Sequence, residues 1–440
     1  PQGPDKEVEM LDAKDHPVFS QIQAPLPMPL GINGMGRIGK LLLWHHAARG
    51  SFERIVVNIG REAGQGLEDI ADYLARDSTY GPLGRYIHGF RGGPAIEELD
   101  ESAGTMRVNG TPVTVLRKHR NPREIDWPGQ GVSLVVDCTG VFRDPTVPAD
   151  APKGALRGHL EAGARKVVLS APFKIKDESR GMPEDAVTTI QGINDEAYDP
   201  TRHDIVSTAS CTTTCLAFLM KTILDRFGIK PVLGASMVTV HAATSTQGVL
   251  DSLPKAGKSD LRKNRAVLDN IILTSTGAAK AAALVIPEME QIDFVAEAVR
   301  VPNTTGSIVI LMVNLQDDPE RPVSREGVNE MYRNAANGYL SPYLSYSDSQ
   351  NVSSDVIGTA AAAVVEGRET RVQRGKVRVS VTPGCRISPE GSFEGEGCTV
   401  EAPVNQVVVY GWYDNELGSF THMLGERTLA LARGLGEGTP

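Results

Sequence analysis

The chain has 440 residues and a formal net charge of −9, from 45 Lys and Arg against 54 Asp and Glu. A nucleic-acid-binding surface needs clustered Lys and Arg residues that neutralise phosphates. Because this chain is acidic overall, we expect no nucleic-acid partner. No stretch approaches the ~20 consecutive apolar residues of a membrane-spanning helix, so we expect no membrane association. Only five residues are cysteine, which excludes a disulfide-stabilised scaffold and favours a reducing, cytoplasmic location.

The first 28 residues mix acidic residues with a cluster of prolines. They have neither the apolar core of a secretory signal nor the Arg-rich, acid-poor composition of a transit peptide. We therefore predict that residues 1–28 form a mobile extension. The alternative is that this segment covers a subunit surface.

A glycine-rich turn follows the first predicted strand. Its pattern, G-x-G-x-x-G, is formed by Gly34, Gly36 and Gly39. In a dinucleotide-binding unit the first glycine allows the tight turn, the second lets the backbone approach a pyrophosphate, and the third lets helix and strand pack closely. The N-terminus of the following helix then offers free N–H groups to the phosphates. The elements predicted around the turn are a strand over 30–32, a helix over 41–48 and a strand over 54–59.

The remaining pattern predicts the fold class and the domains. Strand-like and helix-like segments alternate up to about residue 209, which is typical of a doubly wound parallel sheet. After residue 210, longer β-rich runs predict a mixed sheet with helices on one face. We therefore predict an α/β protein with a Rossmann-type domain and a mixed α/β catalytic domain. The predicted bounds are 29–209 with 415–440 for the first domain, and 210–414 for the second, including an insertion over 367–405.

The end of the second predicted strand bears on the choice between NAD and NADP. An acidic residue at this point binds the adenosine ribose diol, whereas an arginine accommodates a 2′-phosphate. Here Gly60 is followed by Arg61, and Glu62 is the nearest acid. Arg61 slightly favours NADP. The alternative is that Arg61 is a solvated loop residue and Glu62 binds the ribose.

Cys211 stands where a loop meets a predicted helix. A thiol at a helix N-terminus is expected to have a lowered pKa, and a nearby histidine lowers it further. His241 follows an apolar β run and could project from the end of a strand into a cleft. Cys215 lies one helical turn beyond Cys211 and is expected in the core. From these residues alone, a structural role for Cys211 and His241 stays open.

Eight motifs together resemble those of the phosphorylating glyceraldehyde-3-phosphate dehydrogenases. They follow one another in order and at compatible spacing over most of the chain, which makes the resemblance specific. The motifs are GINGMGRIG at 31–39, DSTYG at 77–81, DCTGVF at 137–142, STASCTTTC at 207–215, VTVHAATSTQ at 238–247, STGAAKA at 275–281, VRVP at 299–302 and WYDNELG at 412–418.

This resemblance implies an enzyme that oxidises an aldehyde through a covalent thioester. Cys211 matches the family's nucleophile and His241 matches its base, a pairing in which an imidazole activates a thiol. Asn415 matches the residue that holds the nicotinamide of NAD or NADP. The other positions that we assign to the cofactor are Gly34, Gly36, Arg37, Ile38, Gly39, Arg61, Thr139, Gly140 and Ser170.

The resemblance also implies two phosphate sites, which suit hydroxyl groups, backbone N–H groups and arginine. The residues that match the site of the substrate's phosphate are Thr244 and Arg300, and we expect Thr246 to assist them. The residues that match the site of the inorganic phosphate are Ser210, Thr212, Thr276 and Gly277. Part of the family's basic cluster in the loop after His241 is retained as Arg262 and Arg265, for which we also predict substrate or phosphate contacts.

We therefore predict reversible oxidation of D-glyceraldehyde 3-phosphate to 1,3-bisphosphoglycerate with NAD(P)+ and inorganic phosphate, without a metal ion. One alternative is an erythrose-4-phosphate dehydrogenase, which shares the cysteine and the histidine but releases an acid by hydrolysis. Another is a non-catalytic binding protein of the same fold. Because the family is tetrameric, we expect a homotetramer.

Two further cysteines, Cys385 and Cys398, flank a glycine-containing polar segment of the predicted insertion. A hairpin there could bring the two thiols together as a reversible disulfide. The alternative is two unrelated thiols, because disulfides are uncommon in the cytosol.

Overall fold

The computed structural model describes residues 24–436, except 246, 255, 258–259, 321 and 381–398. Thr246, Cys385 and Cys398 therefore lie outside the described residues, as do residues 1–23 of the predicted extension. The chain divides into two compact units. The first unit comprises the chain up to Ser210 and again from Glu416, and the second unit comprises Cys211–Asn415.

The described residues of the first unit form eleven strands. They are β1 (Leu26–Asn33), β2 (Phe52–Asn58), β3 (Arg76–Asp77), β4 (Gly81–Pro82), β5 (Ile96–Asp100), β6 (Thr105–Val108), β7 (Thr111–Leu116), β8 (Leu134–Asp137), β9 (Lys166–Leu169), β10 (Ala186–Thr188) and β11 (Ile205–Ser207). Nine of them form one sheet in the order β10-β11-β9-β8-β1-β2-β7-β6-β5, while β3 and β4 pair with each other. The seven strands from β10 to β7 are parallel, and β6 and β5 continue the edge in antiparallel fashion.

This strand order makes the sheet doubly wound. β1 lies between β2 and β8, which is the point where the chain reverses its direction of travel across the sheet and where such folds bind ligands. The helices that precede residue 210 are α1 (Arg37–Arg49), α2 (Leu67–Ala75), α3 (Leu83–His88) and α4 (Gly158–Glu161). The predicted Rossmann-type sheet and the α/β class are confirmed.

The first strand begins earlier than the sequence suggested. β1 starts at Leu26, so the final residues of the predicted extension belong to the sheet. The register of β1 against β2 shifts between Leu26 and Pro29. An irregularity of this kind tolerates proline, whose missing N–H would interrupt a regular ladder.

In the second unit, the residues that the structure describes form three α-helices and eight strands. They are α5 (Cys211–Phe227), β12 (Val232–His241), β13 (Ile272–Ser275), α6 (Ala278–Ala283), β14 (Phe294–Arg300), β15 (Ser307–Gln316), α7 (Arg325–Asn337), β16 (Leu344–Ser347), β17 (Ala363–Glu366), β18 (Arg371–Ser380) and β19 (Thr399–Tyr413). Seven strands follow the order β13-β14-β12-β15-β19-β17-β16, and β18 pairs with β19. Both parallel and antiparallel pairs occur, which confirms the predicted mixed sheet.

Alternation along β15 shows how the second unit forms its core. Val309, Leu311 and Val313 are fully buried, while the residues between them are half-buried. The buried face of this sheet packs against α5, in which Leu216 and Phe218 are also fully buried. Each such side chain contributes about 1.5–3 kcal/mol to folding by leaving water.

The predicted insertion over 367–405 contributes regular structure to this sheet. β18 and β19 pair in antiparallel register from Arg371↔Val408 to Ser380↔Thr399. Glycine and charged residues obscure the strand alternation in this part of the sequence. Pairing between β18 and β19 stabilises these residues as strands, although their local sequence does not show the strand pattern.

The last helix, α8 (Ser419–Gly436), belongs to the first unit and packs against α1. Leu424 and Leu431 of α8 lie in the same hydrophobic cluster as Leu43 of α1. Among the described residues, no helix is both long and apolar enough to cross a membrane.

Candidate active site

The glycine turn between β1 and α1 has the geometry of a phosphate cradle. Gly34 has φ +98°, a left-handed conformation that favours glycine. A Cβ on Gly39 would lie 1.9 Å from the carbonyl oxygen of Gly34, so only glycine allows this close packing of helix and strand. Gly36 is exposed, and a Cβ there would meet nothing within 4 Å. The open N-terminus of α1, with Arg37 and Ile38 in its first turn, therefore fits the pyrophosphate of a dinucleotide.

The Arg37 side chain forms hydrogen bonds with two carboxylates. Its guanidinium bonds Asp77, and its Nε donates to Glu416 at 3.0 Å. The Tyr80 ring lies 5.6 Å from the guanidinium carbon. Burial lowers the pKa of Arg37, but its bonds to Glu416 and Asp77 outweigh that effect and raise it. Arg37 thus ties α1 to the DSTYG segment and to the start of α8, and it offers a ligand mainly its backbone N–H.

A buried polar network lies where three central strands end. Asn33 ends β1 and donates to the Asp137 carboxylate at the end of β8, at 2.8 Å. Asn58 ends β2 and donates to the Asn33 amide oxygen at 2.8 Å. His159 Nδ1 accepts from Trp127 at 3.0 Å, so its Nε2 carries the proton and donates to Asp137 at 3.2 Å. We did not single out these residues from the sequence. The available signal was a polar residue at the last position of each buried strand.

This network also shapes the loop that holds two predicted cofactor residues. The Asp137 carboxylate accepts from the N–H of Thr139 at 3.0 Å and from its hydroxyl at 2.7 Å. Gly140 follows with φ +66° and open space around it. On the neighbouring loop, the N–H of Ser170 donates to the Asp137 carbonyl at 3.1 Å. Asp137 therefore fixes the starts of both loops.

A cavity of about 560 Å³ lies beside the glycine turn of the first unit. Gly36 and Arg61 line it, together with the apolar residues Ile59 and Ile70. Asp69 at the start of α2 is the carboxylate in this wall, and it accepts from the N–H of Gln65 at 2.6 Å. The size and the lining suit an adenosine group.

Glu62 does not line this cavity, although it was the alternative ribose ligand. Its side chain is 76% exposed, and its carboxylate lies 3.4 Å from the guanidinium of Arg117. Arg61, by contrast, is exposed and lines the cavity. The carboxylate that could meet a ribose here is Asp69, which the sequence did not indicate because it lies beyond the strand end.

In the second unit, Cys211 and His241 lie side by side. Cys211 is the first residue of α5 and His241 is the last residue of β12. Cys211 Sγ is 3.4 Å from His241 Nε2, which is hydrogen-bonding distance for sulfur. Just before α5, the buried Ala209 adopts φ +59°. This strained conformation turns the chain sharply from β11 through Ser210 into the helix.

Sheet register explains the position of Arg300. The parallel pairing of β12 with β14 sets His241 opposite Arg300. The carbonyl oxygen of Ala242 accepts from His241 Nδ1 at 2.8 Å and from Arg300 Nη1 at 3.0 Å. Arg300 Nη1 also contacts Nδ1. A proton on Nδ1 leaves Nε2 free to accept from the Cys211 thiol, which is the tautomer that a base needs.

The resting charges of this pair differ from the sequence-based expectation. Burial raises the pKa of the Cys211 thiol, while Arg300 and the N–H of Thr212 act to lower it. Burial and the Arg300 guanidinium lower the pKa of His241 to about 3. The expectation of a lowered cysteine pKa is therefore wrong, because burial outweighs the helix terminus. The resting pair is a neutral thiol beside a neutral imidazole.

Tyr413 connects the helix that carries Cys211 with the strand that carries His241. Its hydroxyl lies 2.9 Å from the hydroxyls of both Thr212 on α5 and Thr239 on β12. The Tyr413 ring is fully buried, and its centroid lies 5.9 Å from that of the His241 ring. The Thr212 hydroxyl, predicted to bind inorganic phosphate, is thus paired within the protein. Sequence reasoning did not single out Tyr413, although it stands inside the WYDNELG motif.

Replacing Tyr413 with phenylalanine should lower the free energy of unfolding by about 1–3 kcal/mol. The change leaves two buried threonine hydroxyls without their shared partner. Chemical denaturation of the wild type and the variant measures the difference. Tyr410→Phe on the same strand is the matched control, because its side chain is only half-buried. Equal losses for the two variants would contradict the role of this hydroxyl.

Asn415 is held by two hydroxyls of the second unit. Its side-chain oxygen accepts from Ser307 at 3.0 Å and lies 3.3 Å from the Thr305 hydroxyl. Ser307 in turn accepts from the N–H of Ala242, next to His241, at 3.0 Å. The Asn415 amide nitrogen therefore faces away from these hydroxyls. A fixed amide of this kind can donate to a carboxamide such as that of nicotinamide.

The remaining predicted phosphate ligands occupy loops of the second unit. Thr244 is half-buried, and its N–H donates to the Gln247 side chain at 3.1 Å. Thr276 accepts from the N–H of Ala278 at 3.1 Å, and Gly277 precedes α6.

Arg262 and Arg265 carry charges that are already paired. Arg262 pairs with Asp260 at 3.1 Å, and Arg265 pairs with Asp251 at 3.0 Å. Both arginine side chains are more than half exposed. Their charge is therefore shared with carboxylates rather than free for a phosphate, and the structure does not bring them into contact with Cys211 or His241.

Comparison with known proteins agrees with the motif series. Residues 28–145 match the family model described as the NAD binding domain of glyceraldehyde 3-phosphate dehydrogenase, and residues 210–382 match that of its C-terminal domain. Glyceraldehyde-3-phosphate dehydrogenase 1 of Streptomyces avermitilis is 38% identical, over 88% of this chain and 94% of its own. Glyceraldehyde-3-phosphate dehydrogenase 1 of Bacillus subtilis is 35% identical over 89% and 95%, and the Priestia megaterium enzyme is 33% identical over 93% and 100%.

These matches cover both units and most of each relative's length. They confirm the resemblance that the motifs indicated, including its assignment to an enzyme class. The chain belongs to the glyceraldehyde-3-phosphate dehydrogenase family and is an NAD(P)-dependent oxidoreductase.

Proposed function

We propose that this protein oxidises D-glyceraldehyde 3-phosphate to 1,3-bisphosphoglycerate, reversibly, with NAD(P)+ and inorganic phosphate. The observation that carries the proposal is the thiol of Cys211 at a helix start, with its sulfur 3.4 Å from Nε2 of His241. Family membership and the intact Arg300 and Asn415 support the same reaction. The sparse cysteines support a cytoplasmic location.

The proposed chemistry begins with proton transfer from Cys211 to His241 Nε2. The sulfur adds to the aldehyde carbon, and Nε2 returns the proton to the new alkoxide, which gives a hemithioacetal. When a hydride leaves that carbon, Nε2 takes the hydroxyl proton and the carbonyl of a thioester forms. Bound NAD(P)+ supplies the acceptor of this hydride. An oxygen of inorganic phosphate then attacks the thioester, the C–S bond breaks, and the released sulfur regains its proton from Nε2.

Arg300 connects substrate binding with the strength of the base. Its guanidinium contacts Nδ1 of His241 and helps to hold the pKa of that ring low. The resemblance assigns Arg300 to the substrate's phosphate, with Thr244 beside it. A phosphate dianion on Arg300 would neutralise the nearby positive charge and so raise the pKa of His241. The imidazole would then be a stronger base when a phosphorylated aldehyde is present.

Omitting phosphate tests the reaction type. With saturating aldehyde and NAD(P)+, we expect turnover to stop after one equivalent of reduced cofactor per active site, because phosphate is the group that releases the acyl enzyme. Burst kinetics with and without phosphate measure this. Continued turnover without phosphate would instead identify the hydrolytic reaction of an erythrose-4-phosphate dehydrogenase.

The proposed cofactor contacts rest on the geometry of the glycine turn and on the family resemblance of Asn415. In the first unit, the glycine turn would bind the pyrophosphate and the 560 Å³ cavity the adenosine. In the second unit, the amide of Asn415 would orient the nicotinamide. Arg61 in the cavity wall favours NADP because it can pair with a 2′-phosphate, whereas Asp69 in the same wall suits the ribose diol of NAD.

Replacing Arg61 with aspartate should shift the preference toward NAD+. Losing the charged hydrogen bonds to a 2′-phosphate costs about 1.5–3 kcal/mol. The ratio of kcat/KM for NADP+ to that for NAD+ should therefore fall about 10- to 100-fold. Arg91→Asp, an exposed residue of the same unit that does not line the cavity, is the charge-matched control. An unchanged ratio in Arg61→Asp would show that Arg61 is a solvated loop residue without contact to the cofactor.

We propose a homotetramer from exposed apolar side chains on one face of the second unit's sheet. Val295 on β14 is 61% exposed and Leu273 on β13 is 56% exposed. Pairing registers set Val238 and Ile310, both half-buried, on the same face. Exposed apolar side chains grouped on a sheet face are typical of a subunit interface. A second copy of this chain is the partner that the family implies.

A further inference from the structure

Two long loops of the first unit enclose a cavity of about 500 Å³. One loop follows β8 over residues 138–157, and the other follows β9 over residues 170–185. Both leave the carboxyl ends of parallel strands, the edge at which α/β sheets bind ligands. The volume lies within the range of small-molecule sites.

Backbone hydrogen bonds fix the two loops to each other. The N–H of Lys174 donates to the carbonyl of Arg143 at 2.8 Å. Two residues on, the N–H of Lys176 donates to the Asp144 carboxylate at 3.0 Å. Because neighbouring side chains of an extended segment alternate, Lys174 and Lys176 both reach the cavity while Ile175 does not line it.

The far end of the first loop is also anchored. Arg157 donates to the Pro145 carbonyl at 2.6 Å, and its guanidinium bonds both oxygens of Asp185 at 2.7 and 2.6 Å. A two-pronged contact of this kind holds its partners in one geometry. The cavity is therefore framed by fixed loops at both ends.

Four basic side chains line this cavity, and we call them the basic cluster: Arg143, Lys153, Lys174 and Lys176. Within the part of the chain that the structure describes, none of them forms an ion pair at 4 Å or less. Asp144 is the carboxylate in the wall, and it already accepts from Lys176 N–H and from the N–H and hydroxyl of Thr146. On a chain of net charge −9, this concentration of unpaired positive charge points to an anionic ligand.

The rest of the lining is apolar. Phe142, Val147 and Leu156 contribute to the wall, and Phe142 presents an aromatic ring. A simple inorganic ion would leave this surface unused. We propose that the cavity binds an organic polyphosphate of the nucleoside triphosphate class, with its base against Phe142 and its phosphates on the basic cluster.

This site is separate from the adenosine cavity beside the glycine turn, and none of its lining residues lines that cavity. The proposal therefore does not depend on the proposed reaction or on the cofactor preference. Calorimetric titration of full-length protein with ATP tests it, in the presence of EDTA to keep the phosphates uncovered. Saturating NAD+ in the cell prevents ATP from occupying the adenosine cavity.

We expect saturable ATP binding to the NAD+-loaded protein, and weaker binding of inorganic triphosphate, which has no base. Lys174→Glu/Lys176→Glu should weaken ATP binding at least tenfold, whereas Lys230→Glu/Arg368→Glu, two exposed residues elsewhere with the same charge change, should leave it unchanged. The midpoint of chemical denaturation should be similar in both variants, which shows that they are folded. The proposal is overturned by no ATP binding up to about 1 mM, by equal affinity for triphosphate, or by equal affinities of the two double variants.

Discussion

Replacing Cys211 with serine is expected to lower kcat for phosphate-dependent NAD(P)+ reduction by about 10⁴- to 10⁶-fold. A hydroxyl is a much weaker acid than a thiol, and the His241 imidazole, whose pKa is lowered to about 3, is too weak a base to activate it. A serine ester would also resist attack by phosphate more than a thioester does. Steady-state rates at saturating aldehyde, cofactor and phosphate measure the loss.

Cys215→Ser is the matched control for this variant. Cys215 lies on the same helix, is fully buried, and its Sγ lies 3.6 Å from the carbonyl of Gly411. A serine hydroxyl can keep that hydrogen bond, so most of the activity should remain. If Cys211→Ser retained near-native turnover, the thioester mechanism would be wrong and the Cys211–His241 pair would be structural.

Local sequence patterns were enough to predict the glycine turn and the parallel sheet. Gly34, Gly36 and Gly39 act within a single turn, so their spacing alone carries the information. Alternating strands and helices likewise indicate a doubly wound sheet without knowledge of distant contacts. The motif series then supplied the functional assignment of Cys211 and His241.

Features that depend on distant pairing could not be predicted in this way. Arg300 contacts His241 because β12 and β14 pair in one register, and the two residues are 59 positions apart. The same holds for Tyr413, whose hydroxyl meets Thr212 from 201 positions away. Neither register nor partner is encoded in the residues next to these positions.

The direction of the pKa shift of Cys211 also could not be predicted from the local sequence. The helix terminus that would lower it is visible in the sequence, but the burial that raises it is a sum over many neighbours. The basic cluster could not be predicted either, because its four residues lie on two separate loops that only the fold brings together. We predicted phosphate contacts for Arg262, Arg265 and Arg300, whereas the structure pairs Arg262 and Arg265 with aspartates.

Acid is expected to unfold the first unit through buried histidines between α1 and α8. His46 and His422 are buried, and burial together with the Arg49 guanidinium lowers the pKa of each to about 3. His45 beside them shifts in the same direction for the same reasons. The three rings stack edge to face. Arg49 contacts His45, His422 and Glu426. Its positive charge opposes protonation of the histidine rings.

The direction of this pH dependence follows from which state of the protein, folded or unfolded, binds protons more tightly. Below a pH of about 6.5 the unfolded chain protonates these rings, while the folded state keeps them neutral down to about pH 3. The stability is therefore complete above pH 6.5 and is lost as the pH falls. His46 and His422 alone bind two extra protons on unfolding, a slope of about 2.7 kcal/mol per pH unit. Two pH units then remove about 5 kcal/mol, which is comparable to the whole stability of many domains.

Guanidinium titrations at pH 7, 6, 5 and 4 measure this slope, which applies between about pH 6 and pH 4. Tryptophan fluorescence follows the unfolding, because Trp44 and Trp127 are fully buried in the first unit. His46→Leu should reduce the slope by about 1.4 kcal/mol per pH unit, because one proton fewer is bound on unfolding. It should cost little at pH 7, since neither ring nitrogen of His46 has a hydrogen-bond partner among the described residues. The exposed His88→Leu is the control and should keep the wild-type slope. An equal slope in His46→Leu and the wild type would show that acid acts on other groups.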